Sequence, residues 1–201
     1  MTEPSAPPPS EWVRMTEADP GHSPAYVERF RRLAAQGTDI VGEARLVDAL
    51  LPRGARVLDA GCGPGRVGGH LARAGHEVTG VDVDPVLIAA AEEDHPGPRW
   101  LVGDLATLDL PDRFDAIVCA GNVVTFLAHS TRVEVLRRFR AHLAPGGRAV
   151  VGFGAGRDYA FDDFLADART AGLVPSVLLS TWHLHPFTPE SEFLVAVLTA
   201  A

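Results

Sequence analysis

Three aspartates and a glycine-rich turn are the residues of this sequence whose types and spacing could do chemistry. Asp59 directly precedes the turn 60–65, which holds three glycines; Asp82 follows Gly61 by 21 residues, and Asp104 comes later in the chain. Ionised carboxylates accept hydrogen bonds and attract cations, while glycines let the backbone approach a ligand closely. The set therefore predicts a site for a polar ligand that offers hydrogen-bond donors or positive charge.

Strand-like and helical segments alternate through the middle of the chain and position these residues. The pattern predicts buried strands with helices between them, and the strands cover 56–60, 77–82, 99–103, 114–120 and 148–153. Such alternation forms a parallel sheet through right-handed crossovers. Two further strands, 174–185 and 193–199, are joined only by a loop and predict an antiparallel hairpin. We therefore predict an α/β fold: a doubly wound, Rossmann-like, mostly parallel seven-stranded sheet with a C-terminal antiparallel hairpin and helices on both faces.

The glycine-rich turn is compatible with more than one role. Gly63-x-Gly65-x-x-Gly68 has the spacing of a dinucleotide-binding turn, although this match starts two residues late, because the strand abuts Gly61. A buried carboxylate at Asp59 would repel a pyrophosphate but suits a ligand that presents ammonium and sulfonium groups. A purely structural turn explains the glycines alone, but not three aspartates at successive strand ends, which in a doubly wound sheet line one crevice.

Five segments in chain order carry a further pattern: Val57-Leu-Asp-Ala-Gly-Cys-Gly-Pro-Gly65, Gly80-Val-Asp-Val-Asp-Pro85, Gly103-Asp-Leu105, Phe114-Asp-Ala-Ile-Val118 and Leu143-Ala-Pro-Gly-Gly147. Together they resemble the motifs of class I S-adenosylmethionine-dependent methyltransferases, in the small-molecule group similar to the ubiquinone-biosynthesis enzymes. The resemblance covers most of the chain from about Asp39. It implies an enzyme with S-adenosylmethionine as cofactor that moves a methyl group to a small-molecule acceptor by in-line displacement.

The same resemblance implies which residues contact the cofactor: Asp59, Gly61, Gly63, Asp82, Val83, Asp104, Leu105 and Ala120. Asp59 and Gly61 would hold the methionine end, and Asp82 would hold the ribose. Val83, Asp104 and Leu105 would contact the adenine. Ala120 begins a segment that would border the methyl-transfer site. A non-catalytic S-adenosylmethionine-binding module and an NAD-dependent oxidoreductase remain as alternative functions.

Composition and net charge exclude some catalytic mechanisms and disfavour some binding partners. All 18 basic residues are arginines, so lysine Schiff bases and a lysine general base are excluded. The formal net charge of −8 disfavours a nucleic-acid partner. The absence of a long apolar run or an N-terminal signal pattern leads us to expect a cytoplasmic protein without a membrane partner. No feature of the sequence specifies an oligomeric state.

A general base is needed only if the acceptor must lose a proton. His129, between the fourth strand and its helix, is the predicted catalytic residue. His183 and His185 alternate on a predicted strand, but without a third ligand they do not lead us to expect a metal site. Arg157, with its neighbours Asp158 and Tyr159, follows the fifth strand and could orient a polar acceptor.

Two regions are predicted along the chain. Residues 1–22 would be either disordered or a lid-forming N-terminal segment, and residues 23–201 a single methyltransferase domain.

Cys62 and Cys119 lie at the ends of strands that should be neighbours, so we expect the two thiols close together near the cofactor pocket. Both would act as small buried residues rather than as a redox pair.

Overall fold

Seven strands form one sheet in the computed structural model, which describes residues 6–201. In chain order they are β1 (Arg56–Ala60), β2 (Glu77–Asp82), β3 (Arg99–Val102), β4 (Phe114–Cys119), β5 (Leu143–Gly154), β6 (Leu173–Leu179) and β7 (Phe193–Ala200). Their order across the sheet is β3-β2-β1-β4-β5-β7-β6. The first five run parallel, and β7 pairs antiparallel with both β5 and β6. The predicted doubly wound sheet with its antiparallel hairpin is confirmed.

Helices flank both faces of this sheet. They are α1 (Glu11–Ala18), α2 (His22–Ala35), α3 (Gly42–Ala49), α4 (Arg66–Arg73), α5 (Pro85–Asp94), α6 (Val123–Phe126), α7 (Arg132–His142) and α8 (Phe161–Thr170). Single 3-10 turns lie at Leu105–Thr107 and His129–Thr131. Within residues 6–201, every helix is too short or too polar to cross a bilayer.

Two apolar clusters cover the two faces of the sheet, with β1 between them. Successive residues of a strand point to opposite faces. Leu58 accordingly packs in the cluster that contains Phe139 of α7, whereas Val57 packs with Val47 of α3 and Leu71 of α4. β1 is therefore covered on both sides, and Asp59 and Ala60 at its carboxyl end are themselves buried.

The start of α5 follows the local sequence signals. The Asp84 carboxylate accepts a hydrogen bond from the backbone N–H of Val86 at 2.8 Å, and Pro85 occupies the first turn. An acidic cap satisfies a free N–H group, and proline needs no partner there. The preceding residue Val83 is thereby fixed at the end of β2, facing the same edge of the sheet as Asp82.

The sixth strand is shorter than predicted, and this corrects the view of its histidines. β6 ends at Leu179, so His183 and His185 lie in the following loop and do not alternate on a strand. The chain reverses there because Leu184 adopts a positive φ of 68°. Trp182 packs directly over Gly152 of β5, where a Cβ atom would come within 2.1 Å of the indole.

The N-terminal region contains order that the sequence left open. Residues 1–5 lie outside the described part of the chain, whereas α1 is a regular helix capped by Ser10, whose hydroxyl accepts a hydrogen bond from the N–H of Val13. The helix α3 begins at Gly42, after a non-helical stretch that starts near Asp39. The Asp39 carboxylate accepts from the N–H of Val41 and pairs with Arg45, which holds this stretch as a turn.

Candidate functional site

A cavity of about 350 Å³ opens at the carboxyl ends of β1 to β4. All eight residues to which the sequence assigned cofactor contacts line it: Asp59, Gly61, Gly63, Asp82, Val83, Asp104, Leu105 and Ala120. The remaining wall is built mainly from α1, α2, α4, α5, α6 and the loop after β5. The fold thus brings together, in one concave site, residues that are up to 61 positions apart in the sequence.

The glycine-rich turn forms the floor between β1 and α6. Gly61 has a φ of +76°, which side-chain-bearing residues rarely adopt. A Cβ atom on Gly61 would lie 2.5 Å from both γ-methyl groups of Val123. Its N–H donates to the carbonyl oxygen of Val81 at 2.8 Å, which ties the turn to the end of β2. Glycine is therefore required here by the packing of the protein itself, besides any approach of a ligand.

Two buried carboxyl groups face each other across this turn. The Asp82 carboxylate accepts from the N–H of Gly63 at 2.8 Å and from the N–H of Asp84 at 3.0 Å. The Asp59 carboxylate accepts from the N–H of Gly68 at 2.8 Å. Burial raises the pKa of Asp59 to about 7 and that of Asp82 to about 6, although these N–H donors lower both values.

A buried carboxylate needs donors or positive charge to be stable in its ionised form. Asp59 and Asp82 have only backbone donors within hydrogen-bonding distance among the described residues, and both line the cavity. A ligand with hydroxyl and ammonium groups would supply the missing donors. Asp59 and Asp82 thus fit S-adenosylmethionine better than a pyrophosphate-bearing dinucleotide.

The third carboxylate of the site lies at the end of β3. One oxygen of Asp104 accepts from the N–H of Ala106 at 2.8 Å and so caps the short 3-10 turn that begins at Leu105. Its second oxygen remains available on the cavity wall. Asp104 is joined to Asp82 through the backbone, because the N–H of Gly103 donates to the carbonyl oxygen of Asp82 at 2.8 Å.

Aromatic side chains from the N-terminal helices cover the cavity. Trp12 of α1 stands edge-on to Tyr26 of α2, with ring centroids 5.2 Å apart, and edge-on to Phe126 of α6 at 5.8 Å. Its indole N–H donates to the Asp84 carboxylate at 2.9 Å, and the Ser23 hydroxyl donates to the same oxygen. Trp12 of α1 thus lies on the cavity wall, and the lid-forming role of the N-terminal segment stays a prediction.

Asp84 and Phe126 are functional candidates that the sequence reasoning missed. No role was assigned to Asp84 from the sequence, although its second oxygen anchors α1 and α2 from 72 and 61 residues away. The doublet Asp82–Asp84 was the available signal, since a second acid so close to the ligand edge has more acceptor capacity than one cap requires. No periodic signal marks the four-residue helix that carries Phe126.

His129, the predicted catalytic residue, does not line the cavity. Its side chain is 69% exposed, and its Nε2 lies 2.6 Å from a carboxylate oxygen of Asp158. The neighbouring Arg157 does line the cavity, so the histidine stands behind a loop that borders the site. The catalytic role of His129 stays a prediction.

The two cysteines differ in their relation to the cavity. Cys62 lines it, whereas Cys119, the last residue of β4, is buried in the apolar core and does not. The closeness of the two thiols near the pocket stays a prediction. Both are free thiols. Burial raises the pKa of each well above the ordinary value for a thiol, with a further contribution from Asp59 and Asp82. Neither is therefore a ready nucleophile, because the reactive form is the thiolate.

Comparison with known proteins places this site in a family. A model described as a methyltransferase domain matches residues 57–147. A solved TehB-like SAM-dependent methyltransferase from Corynebacterium glutamicum is 52% identical, with a TM-score of 0.88, and the match covers 91% of this chain and 100% of that one. The chain belongs to the S-adenosylmethionine-dependent methyltransferase family. Membership confirms the resemblance drawn from the five sequence segments and the predicted cofactor.

Two curated relatives of this methyltransferase match over its central part. An uncharacterized methyltransferase of Mycobacterium tuberculosis is 42% identical over 110 residues, which are 53% of this chain and 54% of the relative. The dTDP-3-amino-3,6-dideoxy-alpha-D-glucopyranose N,N-dimethyltransferase of Streptomyces fradiae is 32% identical over 121 residues, 58% of this chain and 48% of the relative. The chain thus spans about half the length of these curated relatives.

Proposed function

We propose that this protein transfers a methyl group from S-adenosylmethionine to a small-molecule acceptor. The observation that carries the proposal is the single cavity in which the three strand-end aspartates and the glycine turn meet an aromatic wall. That wall consists of Trp12, Tyr26, Phe30 and Phe126. An acidic strand-end surface and an aromatic surface within one cavity suit a cationic cofactor and a second ligand bound next to it.

The acidic side of the cavity would hold the cofactor. Asp82 would accept hydrogen bonds from the ribose hydroxyls, and Asp104 would accept from the adenine amino group beside Leu105. Asp59 and the backbone at Gly61 would receive the methionine end. S-adenosylmethionine, when bound, supplies a methyl group that is already activated on sulfur, so the chief contribution of these residues is alignment, worth roughly 7 to 11 kcal/mol in well-oriented reactions.

Several features support a small acceptor. A volume of about 350 Å³ lies at the lower end of the range for small-molecule sites. The aromatic cover from α1 and α2 leaves a recess rather than a broad surface, and the formal charge of −8 disfavours nucleic acid. The Streptomyces fradiae relative is named for a nucleotide-linked sugar, which is also a small molecule.

A non-catalytic cofactor-binding module is the second candidate. Such a module would present an open, flat surface where the acceptor should lie. The roof formed by Trp12 and Tyr26 favours an enclosed recess instead, and therefore an enzyme. An NAD-dependent oxidoreductase is disfavoured by Asp59, whose charge would lie against the pyrophosphate.

The proposal is tested by following a labelled methyl group. Purified protein and methyl-labelled S-adenosylmethionine would be incubated with cell extract divided into fractions below and above about 1 kDa. We expect label to appear in the small-molecule fraction with the natural sequence and with Asp109→Ala, an exposed aspartate outside the cavity. Asp82→Ala should abolish it. Label transferred only to the large fraction, or equal transfer by Asp82→Ala, would contradict the proposal.

A further inference from the structure

The charges of the cavity are distributed unevenly across β1. Its three lining carboxylates, Asp59, Asp82 and Asp104, stand at the ends of β1, β2 and β3. On the other side, at the ends of β4 and β5, the described lining residues include no carboxylate and one guanidinium, that of Arg157. In the sheet order β3-β2-β1-β4-β5, the three lining carboxylates thus stand at the first three strands, and Arg157 is the charged lining residue at the ends of β4 and β5.

Arg66 of the cavity wall is paired with both carboxylate oxygens of Glu43, whereas Arg29 and Arg157 form no ion pair or side-chain hydrogen bond within residues 6–201. Arg29 belongs to α2 and lies over the Phe30 ring at 5.9 Å, so Arg157 is the unpaired guanidinium at the ends of β4 and β5. The Arg157 side chain is exposed. A guanidinium stays charged at any working pH and binds carboxylate or phosphate oxygens through paired N–H groups.

The loop that carries Arg157 is held by contacts to Arg132 and His129, which do not line the cavity. The buried Arg132 donates to the carbonyl oxygen of Asp158 and stacks on the Tyr159 ring at 4.1 Å. The Asp158 carboxylate contacts His129 Nε2 at 2.6 Å and lies 3.9 Å from Arg132, and within residues 6–201 it forms no ion pair with Arg157. Arg132 and His129 thus hold this exposed loop, and the unpaired guanidinium of Arg157 lies at the cavity wall.

A second donor lies on the same side of the cavity. Asn122 has a φ of +67°, an uncommon conformation for a residue with a side chain. Its carbonyl Oδ1 accepts from the N–H of Gly154 at 2.9 Å, which fixes the orientation of the amide. The Nδ2 group has no acceptor in the described residues and is not enclosed. Asn122 and Arg157 therefore offer N–H donors without a matching acceptor.

From this arrangement we infer that the methyl acceptor carries an anionic oxygen group, a carboxylate or a phosphate, which is bound by Arg157 with help from Asn122. The aromatic rings of Trp12 and Phe126 would contact the apolar part of the same molecule. Arg157 is then a specificity-determining residue for the acceptor. The inference rests on the proposed function, since it assigns the acceptor half of the proposed site.

Calorimetric titration of small anions into the protein saturated with S-adenosylhomocysteine tests this inference. The probes are benzoate and inorganic phosphate, with benzamide as the uncharged counterpart of benzoate. Arg157→Gln removes the guanidinium, and Arg169→Gln, an exposed residue of α8 away from the cavity, is the matched control. A hydrogen bond to a charged group predicts anion binding roughly 10- to 150-fold weaker in Arg157→Gln.

The expected result is that at least one anion binds, that benzamide binds much more weakly than benzoate, and that only Arg157→Gln loses the anion. Both variants should keep the affinity for S-adenosylhomocysteine, which shows that they are folded. Absence of binding by both anions, equal binding of benzamide, or full binding by Arg157→Gln would overturn the inference. Failure of S-adenosylhomocysteine to bind would count against the proposed function, and the same anion criterion applied to the cofactor-free protein would then decide the inference.

Discussion

Replacement of Gly61 by alanine tests how closely the glycine turn packs against α6. The new Cβ atom would lie 2.5 Å from both γ-methyl groups of Val123, far inside ordinary contact distance. Val123 is β-branched and has few alternative rotamers in a helix, so it cannot simply turn away. We therefore expect Gly61→Ala to displace α6, the helix that carries Val123 and Phe126.

The expected loss of unfolding free energy in Gly61→Ala has two parts. A side-chain-bearing residue in the left-handed region costs about 1 to 2 kcal/mol, and overpacking costs about 1 to 3 kcal/mol more. Gly146→Ala is the matched control, because Gly146 has nearly the same φ of +78° but no atom within 4 Å of the added Cβ. It should lose only the first part. Val123→Ala in the Gly61→Ala background should restore about 1 to 3 kcal/mol of the second part, which appears as a coupling energy.

Urea unfolding of the four single and double variants and the natural sequence measures these free energies. Gly61→Ala should unfold at lower urea than Gly146→Ala with an unchanged slope. Its affinity for S-adenosylhomocysteine should also fall, because the turn and α6 both line the cavity. Equal losses in the two glycine variants, or no coupling between Gly61→Ala and Val123→Ala, would refute the packing argument.

Three further predictions concern other parts of the site. The pKa of Asp59 is raised from 3.8 to about 7, so the stability that its neutral form confers is present below about pH 4 and is lost as the pH rises through about 7. Unfolding free energy of the cofactor-free protein should fall by up to about 1.4 kcal/mol per pH unit in that window, and a urea profile of Asp59→Asn that is no flatter would contradict this. Trp12→Phe removes a hydrogen bond to the Asp84 carboxylate, worth roughly 1.5 to 3 kcal/mol, so amide exchange in α1 should accelerate at least tenfold; unchanged exchange would show that the bond does not hold the helix. A general-base role for His129 predicts that His129→Ala lowers kcat by about 100-fold or more once an acceptor is known, whereas equally small losses in His129→Ala and Asp158→Ala would restrict both residues to holding their loop.

The strand-end residues could be predicted from the sequence because their placement follows from local pattern and topology. Alternating strands and helices dictate a parallel sheet, and parallel strands bring their carboxyl ends to one edge. Asp59, Asp82 and Asp104 therefore meet at one cavity, whatever the details of packing.

Contacts between distant segments could not be predicted in this way. The Trp12–Asp84 hydrogen bond joins residues 72 positions apart, and nothing in either segment alone specifies the other. The C-terminal error has a similar origin: the strand pattern continues past Leu179, but Trp182 leaves the sheet to fill the space above Gly152. A glycine inside a strand is a sign of such close approach, and Gly152 was the available signal.

Calorimetric titration with S-adenosylhomocysteine tests whether the cavity binds S-adenosylmethionine through Asp82. We expect micromolar binding by the natural sequence and by Asp109→Ala, no measurable binding by Asp82→Ala, and no preference for NAD. Absence of S-adenosylhomocysteine binding, tighter binding of NAD, or equal binding after Asp82→Ala would rule out this site for the cofactor.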